Sequence, residues 1–81
     1  LSGQIDRIVV TEDAVLVVDY KTLRPAPASE ADIPALYLDQ LGAYVAAIRA
    51  IYPGKRVRAA LHWTDGPRLM PVSALFHEKL P

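Results

Sequence analysis

The stretch that most constrains the fold of this chain is residues 3–22, GQIDRIVVTEDAVLVVDYKT. It holds two runs rich in valine and isoleucine, residues 5–10 and 15–18, with a polar break at 11–14 between them. β-Branched residues favour extended strands, and a short polar break is typical of a tight turn. The stretch therefore predicts an N-terminal β-hairpin.

The register of this hairpin brings two acidic residues together. Pairing Val10 with Val15 across the turn also places Asp6 directly opposite Asp19. Opposed side chains lie about 5 Å apart on one face, and like charges at that separation are destabilising. A divalent cation is the commonest reason for such a pair, because Mg²⁺ takes one or two protein carboxylates and keeps water and phosphate oxygens as its other ligands.

A lysine follows the second aspartate at a spacing of two. Strand alternation places Lys21 on the same face as Asp6 and Asp19, and the hairpin register places it opposite Gln4. Its ammonium can offset the excess negative charge and reach a phosphate or a water at the cation. The alternative is that Asp19 and Lys21 end a strand at solvent, with Asp6 in an ion pair to Arg7 or Lys21.

The pattern beyond the hairpin becomes helical. Residues 23–34 carry three prolines and predict an irregular, exposed connection, with Asp32 as the cap of the next helix. Apolar residues at spacings of three and four predict that helix over residues 35–52. The Pro-Gly pair at residues 53–54 ends it.

The last third of the chain predicts two more strands. Residues 56–64 alternate as a third strand, an Asp-Gly turn follows, and residues 68–72 form a short edge strand flanked by prolines. Ser73 is a candidate cap for a last helix through Leu80. The fold class is α/β, a small mixed sheet of three or four strands with one long helix packed on it.

Composition limits the classes of function. The 81 residues permit one domain, and the 52% of apolar residues argue against disorder. No apolar run approaches the length of a membrane span, so no membrane partner is predicted. The chain has no cysteine, which excludes disulfides and thiolate catalysis and fits a cytoplasmic location. Nine basic and nine acidic residues cancel, whereas a free-standing nucleic-acid binder usually has a basic excess.

Three motifs in this order resemble the PD-(D/E)XK nuclease superfamily. They are Gly3-x-x-Asp6, Val18-Asp19-Tyr20-Lys21-Thr22 and Gln40-x-x-x-Tyr44. Within the superfamily, the pattern is most similar to the C-terminal nuclease domain of bacterial AddA and RecB helicase–nuclease subunits. The resemblance covers roughly residues 2–72 and implies a restriction-endonuclease-like core.

The resemblance also implies roles at the hairpin. Asp6, Asp19 and the backbone carbonyl of Tyr20 would bind Mg²⁺, for which Mn²⁺ can substitute. Lys21 would orient or deprotonate the attacking water, or stabilise the transition state.

The helix motif has two interpretations. By resemblance, Gln40 and Tyr44 support the active site and contact DNA near the scissile phosphate. The alternative is that Tyr44 anchors the helix to the sheet while Gln40 bonds to the backbone.

Other residues have simpler interpretations. Tyr37 and Trp63 are predicted to pack, and His62 and His77 lack partners at metal-ligand spacing. Four basic residues are predicted to lie on a solvated face, with phosphate contact as the alternative: Lys55, Arg56, Arg58 and Arg68.

The function implied by the resemblance is a Mg²⁺-dependent DNA exonuclease domain of a bacterial ATP-dependent helicase–nuclease subunit that acts in double-strand break repair. DNA and a second subunit would be its partners, and ATP would bind only in a motor domain elsewhere. Such nucleases carry a helix before the first strand that adds a histidine or glutamate. We expect residues 1–81 to be a truncated domain without that helix, inactive or weak alone.

Two other hypotheses stay open. One is a catalytically inactive, nuclease-like module for DNA binding or subunit docking. The other concerns the isolated segment, which would self-associate through an exposed apolar face of its sheet.

Overall fold

The structure is a computed structural model that describes residues 6–78. The four strands form one sheet in the order β1-β2-β3-β4, and a single long helix, α1, connects β2 to β3. The bounds are β1 Arg7–Val10, β2 Ala14–Lys21, α1 Ala35–Ile51, β3 Arg56–Trp63 and β4 Arg68–Pro71, with 3-10 turns at Glu30–Asp32 and Ser73–Leu75. The predicted fold class is confirmed, and β4 lies at the edge of the sheet as its prolines require.

The N-terminal hairpin forms in the predicted register. β1 and β2 are antiparallel, with Val10 opposite Val15. The predicted pairing of Gln4 with Lys21 lies outside the described residues.

The hairpin turn is held by backbone and side-chain hydrogen bonds. The amide of Ala14 donates to Oγ1 of Thr11 at 3.1 Å, and the amide of Thr11 donates to the carbonyl of Ala14 at 2.9 Å. A threonine hydroxyl often fixes a turn through such a local bond. The ammonium of Lys55 donates to the carbonyls of Thr11 and Glu12, so this lysine ties the connection between α1 and β3 to the turn.

The two central strands run parallel. β2 pairs with β3 from Ala14 opposite Arg56 to Lys21 opposite Trp63. A parallel pair needs a crossover connection, and α1 with its preceding loop supplies it. The carboxyl ends of β2 and β3 therefore meet at one edge of the sheet.

The core lies between α1 and one face of the sheet. Because side chains alternate along a strand, the odd-numbered residues of β2 and β3 face the helix. The largest buried side chains on this face include Trp63 and Leu61 of β3 and Val15 and Val17 of β2. The helix adds a stripe at spacings of three and four that consists of Leu41, Tyr44, Val45 and Ile48.

The opposite face of the sheet is open and largely apolar. Tyr20 is 46% exposed and Leu69 is 49% exposed on this face. A groove of about 460 Å³ crosses it, with Leu16, Ala60 and Phe76 in its walls. Self-association of the isolated segment through this face stays a prediction.

The connection between β2 and α1 differs from its prediction in two ways. Asp32 does not cap α1, because the helix begins after Pro34, whose carbonyl accepts from the amide of Tyr37 at 3.0 Å. Asp32 lies instead in a 3-10 turn, where it accepts from Ser29 at 3.1 Å. Next to this turn, the side chain of Ile33 is buried in the core, so the connection is only partly exposed.

The same connection is tied to the far end of the chain. The carboxylate of Glu30 accepts from the amide and hydroxyl of Ser73 and from the amide of Ala74, at 2.9 to 3.2 Å. The guanidinium of Arg68 also donates to the carbonyl of Pro27. These contacts fix the loop that passes near the carboxyl end of β2.

The predicted last helix is wrong within the described residues. Ser73–Leu75 forms a single 3-10 turn, and His77 then pairs with Val57 through two 2.7 Å backbone hydrogen bonds. Extended pairing to β3 therefore replaces the helix there. No helix among residues 6–78 has the length and apolar character that crossing a membrane would require.

Candidate active site

The candidate site lies at the carboxyl end of β2, under the first half of α1. Asp19 is 5% exposed, and it is the one charged residue that is buried in the described part of the chain. A buried carboxylate loses its hydration and persists only where other groups compensate for that loss. Compensation here comes from Asp6 and Lys21.

Asp6 lies beside Asp19, as the hairpin register predicts. The amide of Tyr20 donates to Oδ2 of Asp6 at 2.9 Å, which holds the carboxylate across from β2. The side chains of Asp6 and Asp19 are within hydrogen-bonding reach of each other, so the pKa of each carboxyl group depends on the protonation state of the other.

The two acids titrate differently because their surroundings differ. Burial raises the pKa of Asp19, and a hydrogen bond that the protonated Asp19 donates to Asp6 raises it further, while Lys21 opposes both effects. The hydrogen bond with Asp19 lowers the pKa of the exposed Asp6, and the Tyr20 amide lowers it as well. Asp19 therefore keeps its proton to higher pH than Asp6 does, a division of roles that follows from environment.

The ammonium of Lys21, the last residue of β2, lies between this strand and α1. Its Nζ is 3.0 Å from Oδ2 of Asp19 and 3.0 Å from Oε1 of Gln40. Nζ also lies 4.6 Å from the centre of the Tyr37 ring. The lysine side chain is 18% exposed, so groups from two elements hold an ammonium that solvent still reaches.

The structure separates the two residues of the helix motif. Gln40 is exposed and accepts a hydrogen bond from Lys21, so its amide is part of the cluster at the strand end. Tyr44, one turn further along, is 8% exposed and belongs to the core. Its place matches the interpretation in which it anchors the helix to the sheet, and DNA contact by either side chain stays a prediction.

Sequence reasoning assigned Tyr37 only to packing and missed its contact with Lys21. Its ring packs against the ring of Trp63, with centroids 6.1 Å apart, and its face is turned to the ammonium. Tyr37 and Gln40 are three residues apart on α1, and residues at that spacing share one helix face. That spacing was the signal in the sequence that could have found Tyr37.

The four basic residues for which phosphate contact was the alternative all have structural contacts. Arg58 forms a two-point ion pair with Glu78 at 2.7 and 3.1 Å, and Arg56 is 3.9 Å from the same carboxylate. Lys55 and Arg68 donate to backbone carbonyls, as described above. Phosphate contact by any of the four stays a prediction.

The donor atoms of the site suit a hard cation. Asp6 and Asp19 offer carboxylate oxygens, and the carbonyl of Tyr20, between Asp19 and Lys21, is a third candidate oxygen. Within residues 6–78, no three acidic, histidine or cysteine side chains converge as a ready metal centre. An ion bound here would take its other ligands from water, backbone or substrate, which is how proteins hold Mg²⁺ and unlike a closed zinc site.

One of the comparisons with known proteins identifies a family. The family model of the PD-(D/E)XK nuclease superfamily matches residues 1–75 of the chain. The matched range includes the two aspartates, Lys21 and all of α1. Neither the curated proteins nor the solved structures gave a significant match.

Proposed function

Because this chain belongs to the PD-(D/E)XK nuclease superfamily, whose members are metal-dependent phosphodiesterases, we propose that Asp6, Asp19 and Lys21 are its catalytic residues. The observation that carries the proposal is the cluster at the end of β2, where a buried acid, an exposed acid and a lysine meet. A chain that needed Asp19 only for folding would gain little from placing a second negative charge beside this buried one.

The role of each group follows from its position. Asp6, Asp19 and the Tyr20 carbonyl would hold Mg²⁺, or Mn²⁺ in its place, which when bound polarises the scissile phosphate and lowers the pKa of a coordinated water. Asp19 has to release its proton to serve as a ligand, and the ammonium 3.0 Å away favours that release.

Lys21 acts on the phosphate or on the water that attacks it. Its ammonium lies beside the acids, so it can neutralise negative charge that develops on the phosphate oxygens in the transition state. It can also hold the attacking water or accept a proton from it. Gln40 limits the positions of the ammonium through its 3.0 Å hydrogen bond. In this way a side chain of α1 helps to position the lysine that β2 carries.

The finer proposal concerns the protein that contains this site. We propose a bacterial, cytoplasmic helicase–nuclease subunit that degrades a DNA strand as an exonuclease during double-strand break repair. ATP would bind in a separate motor domain, and a second subunit would be the partner. An upstream helix would add a histidine or glutamate to the site. The order of the motifs supports this proposal through its similarity to AddA and RecB nuclease domains.

The test is cleavage of DNA by the complete subunit. Asp19→Ala and Lys21→Ala should each reduce Mg²⁺-dependent cleavage by at least about a thousandfold, while ATP-driven unwinding continues. Matched controls are Glu12→Ala in the exposed turn and Arg49→Ala on the exposed side of α1, which should cleave like the wild type. Cleavage that survives both site variants would overturn the proposed catalytic residues.

The competing hypothesis is a catalytically inactive module that binds DNA or docks a subunit. It predicts that the complete wild-type subunit binds DNA and cleaves none at any Mg²⁺ or Mn²⁺ concentration. The same assay therefore decides between the two functions.

A further inference from the structure

The ammonium of Lys21 has three neighbours that come from two different elements. Asp19 precedes it by two residues on β2, whereas Gln40 and Tyr37 approach from α1. Asp19 and Gln40 each accept a hydrogen bond from the ammonium. An ammonium has three N–H donors on a flexible four-carbon stem, so two hydrogen bonds leave one donor and some freedom of position.

The aromatic ring restricts that freedom in a different way. Nζ lies 4.6 Å from the centre of the Tyr37 ring, within the distance of about 6 Å over which a ring face attracts a cation. This attraction needs no directed hydrogen bond. The ring can therefore hold the ammonium in place while one N–H stays free to reach a substrate oxygen.

The Tyr37 ring is itself held in place by the core. Its neighbour is the ring of Trp63, which is fully buried and donates a 3.5 Å hydrogen bond to the sulfur of Met70. Trp63 is also the residue that pairs with Lys21 across β2 and β3. Trp63, at the end of β3, therefore contacts the tyrosine ring, and the tyrosine ring contacts the ammonium.

We propose that Tyr37 is a positioning residue of the nuclease site, which acts through Lys21 and not on the substrate. The proposal rests on the proposed function of Lys21 in phosphodiester cleavage. The aromatic face is the property that matters, and the tyrosine hydroxyl is not required. The side chain at position 37 can therefore be exchanged in a way that tests this.

Two substitutions separate the effect of the aromatic face from the effect of filling the space with an apolar side chain. Tyr37→Phe keeps the aromatic face, and Tyr37→Leu keeps an apolar side chain without it. Tyr37→Met is a second variant without a ring whose flexible side chain fills the space if leucine packs poorly. Tyr52→Leu is the matched control, because Tyr52 packs against the core at the other end of the same helix.

The first readout is the NMR spectrum of the full 81-residue chain without metal. Protons next to Nζ that lie over an aromatic face are shifted upfield by its ring current. We expect the Lys21 Hε signals to be upfield in the wild type, Tyr37→Phe and Tyr52→Leu, and to return to ordinary lysine positions in Tyr37→Leu and Tyr37→Met. Hε signals that do not move in the last two variants would overturn the proposal.

The second readout is cleavage by the complete subunit. We expect Tyr37→Leu and Tyr37→Met to lower kcat about tenfold with KM for DNA and the Mg²⁺ affinity unchanged, and Tyr37→Phe to stay within about twofold of wild type. Equal kcat for the phenylalanine and leucine variants would contradict a role for the ring. If the wild type itself does not cleave, the proposed function fails, and the NMR comparison still decides whether Tyr37 positions Lys21.

Discussion

Asp19 and Lys21 lie two residues apart on one face of β2, and Nζ of the lysine is 3.0 Å from Oδ2 of the aspartate. Exposed ion pairs contribute little to stability, but this aspartate is almost completely buried. Burial makes its charge costly, and the lysine reduces that cost without removing it. The cost of this burial is in keeping with the proposed role of the pair in holding a cation and a phosphate.

Lys21→Met should separate metal binding from cleavage. Removing a positive charge next to the acids leaves their attraction for a cation unopposed, so we expect Mg²⁺ to bind about threefold to tenfold more tightly. Cleavage by the complete subunit should be lost, because no cation other than the metal would face the phosphate. Calorimetric titration of the 81-residue chain measures the affinity, and Arg49→Met is the control. Weaker Mg²⁺ binding in Lys21→Met would show that the lysine organises the ligands instead.

Asp19→Asn should stabilise the metal-free protein. The raised pKa of Asp19 means that folding disfavours its carboxylate, so this group costs stability at any pH above its unfolded pKa. Asparagine keeps the size and removes the charge, and we expect a gain of about 1 kcal/mol in the free energy of unfolding near neutral pH.

Urea unfolding with and without Mg²⁺ checks this expectation. Mg²⁺ should raise the stability of the wild type and leave Asp19→Asn unchanged, since ligand binding to the folded state alone stabilises it. Asp13→Asn in the exposed turn is the control. A loss of stability in Asp19→Asn without metal would identify Asp19 as a structural residue.

Glu30 should make stability depend on pH. Hydrogen bonds from the amide of Ala74 and from the hydroxyl and amide of Ser73 hold its pKa below the usual value. A lowered pKa in the folded state gives stability that is present above the unfolded pKa and is lost as the pH falls through the folded pKa. Glu30→Gln should therefore be less stable than wild type near neutral pH, and the difference should shrink in acid.

The measurement is the urea midpoint between about pH 6 and pH 3. Glu12→Gln, which makes the same change in the exposed turn, should follow the wild-type curve. A difference between Glu30→Gln and wild type that is the same at every pH would contradict the role of the charged form.

Two leucines on α1 test where the core lies. Leu41 is fully buried and Leu36 is 63% exposed. Leu41→Ala should lower the free energy of unfolding by about 2 to 5 kcal/mol, because it leaves a cavity between helix and sheet. Leu36→Ala should change it by less than about 0.5 kcal/mol. Thermal or urea unfolding of both variants provides the comparison, and equal losses would contradict the packing of the helix.

Much of the fold follows from local pattern. The alternation of valines with a polar break was sufficient for the register of Val10 with Val15, because a one-residue slip would turn every side chain to the wrong face. Apolar residues at spacings of three and four were sufficient to predict α1. The pattern failed at Asp32 and Ser73, whose side chains can accept a hydrogen bond and so suggested helix starts. The helix near Asp32 begins only after Pro34. After Ser73, the pairing of His77 with β3 keeps the backbone extended.

The site was only partly predictable for a related reason. Asp6 and Asp19 were placed together because they belong to one hairpin, in which sequence spacing determines distance. The spacing of Tyr37 and Gln40 places both on one helix face, but the approach of that face to Lys21 depends on how α1 crosses the sheet, which no local pattern contains. Trp63 reaches the same cluster only through the parallel register of β2 and β3.

The parallel pairing of β2 with β3 also affects the order of events during folding. The two strands are separated along the chain by the whole connection and by α1, so their pairing is non-local and is expected to form late. Asp19 and Lys21 lie on the first strand of this pair, while Gln40 reaches them only after the helix has crossed over. A partly folded chain in which the crossover has not yet formed can therefore hold Asp6, Asp19 and Lys21 together in the hairpin, but it lacks the contacts of Lys21 with Gln40 and Tyr37.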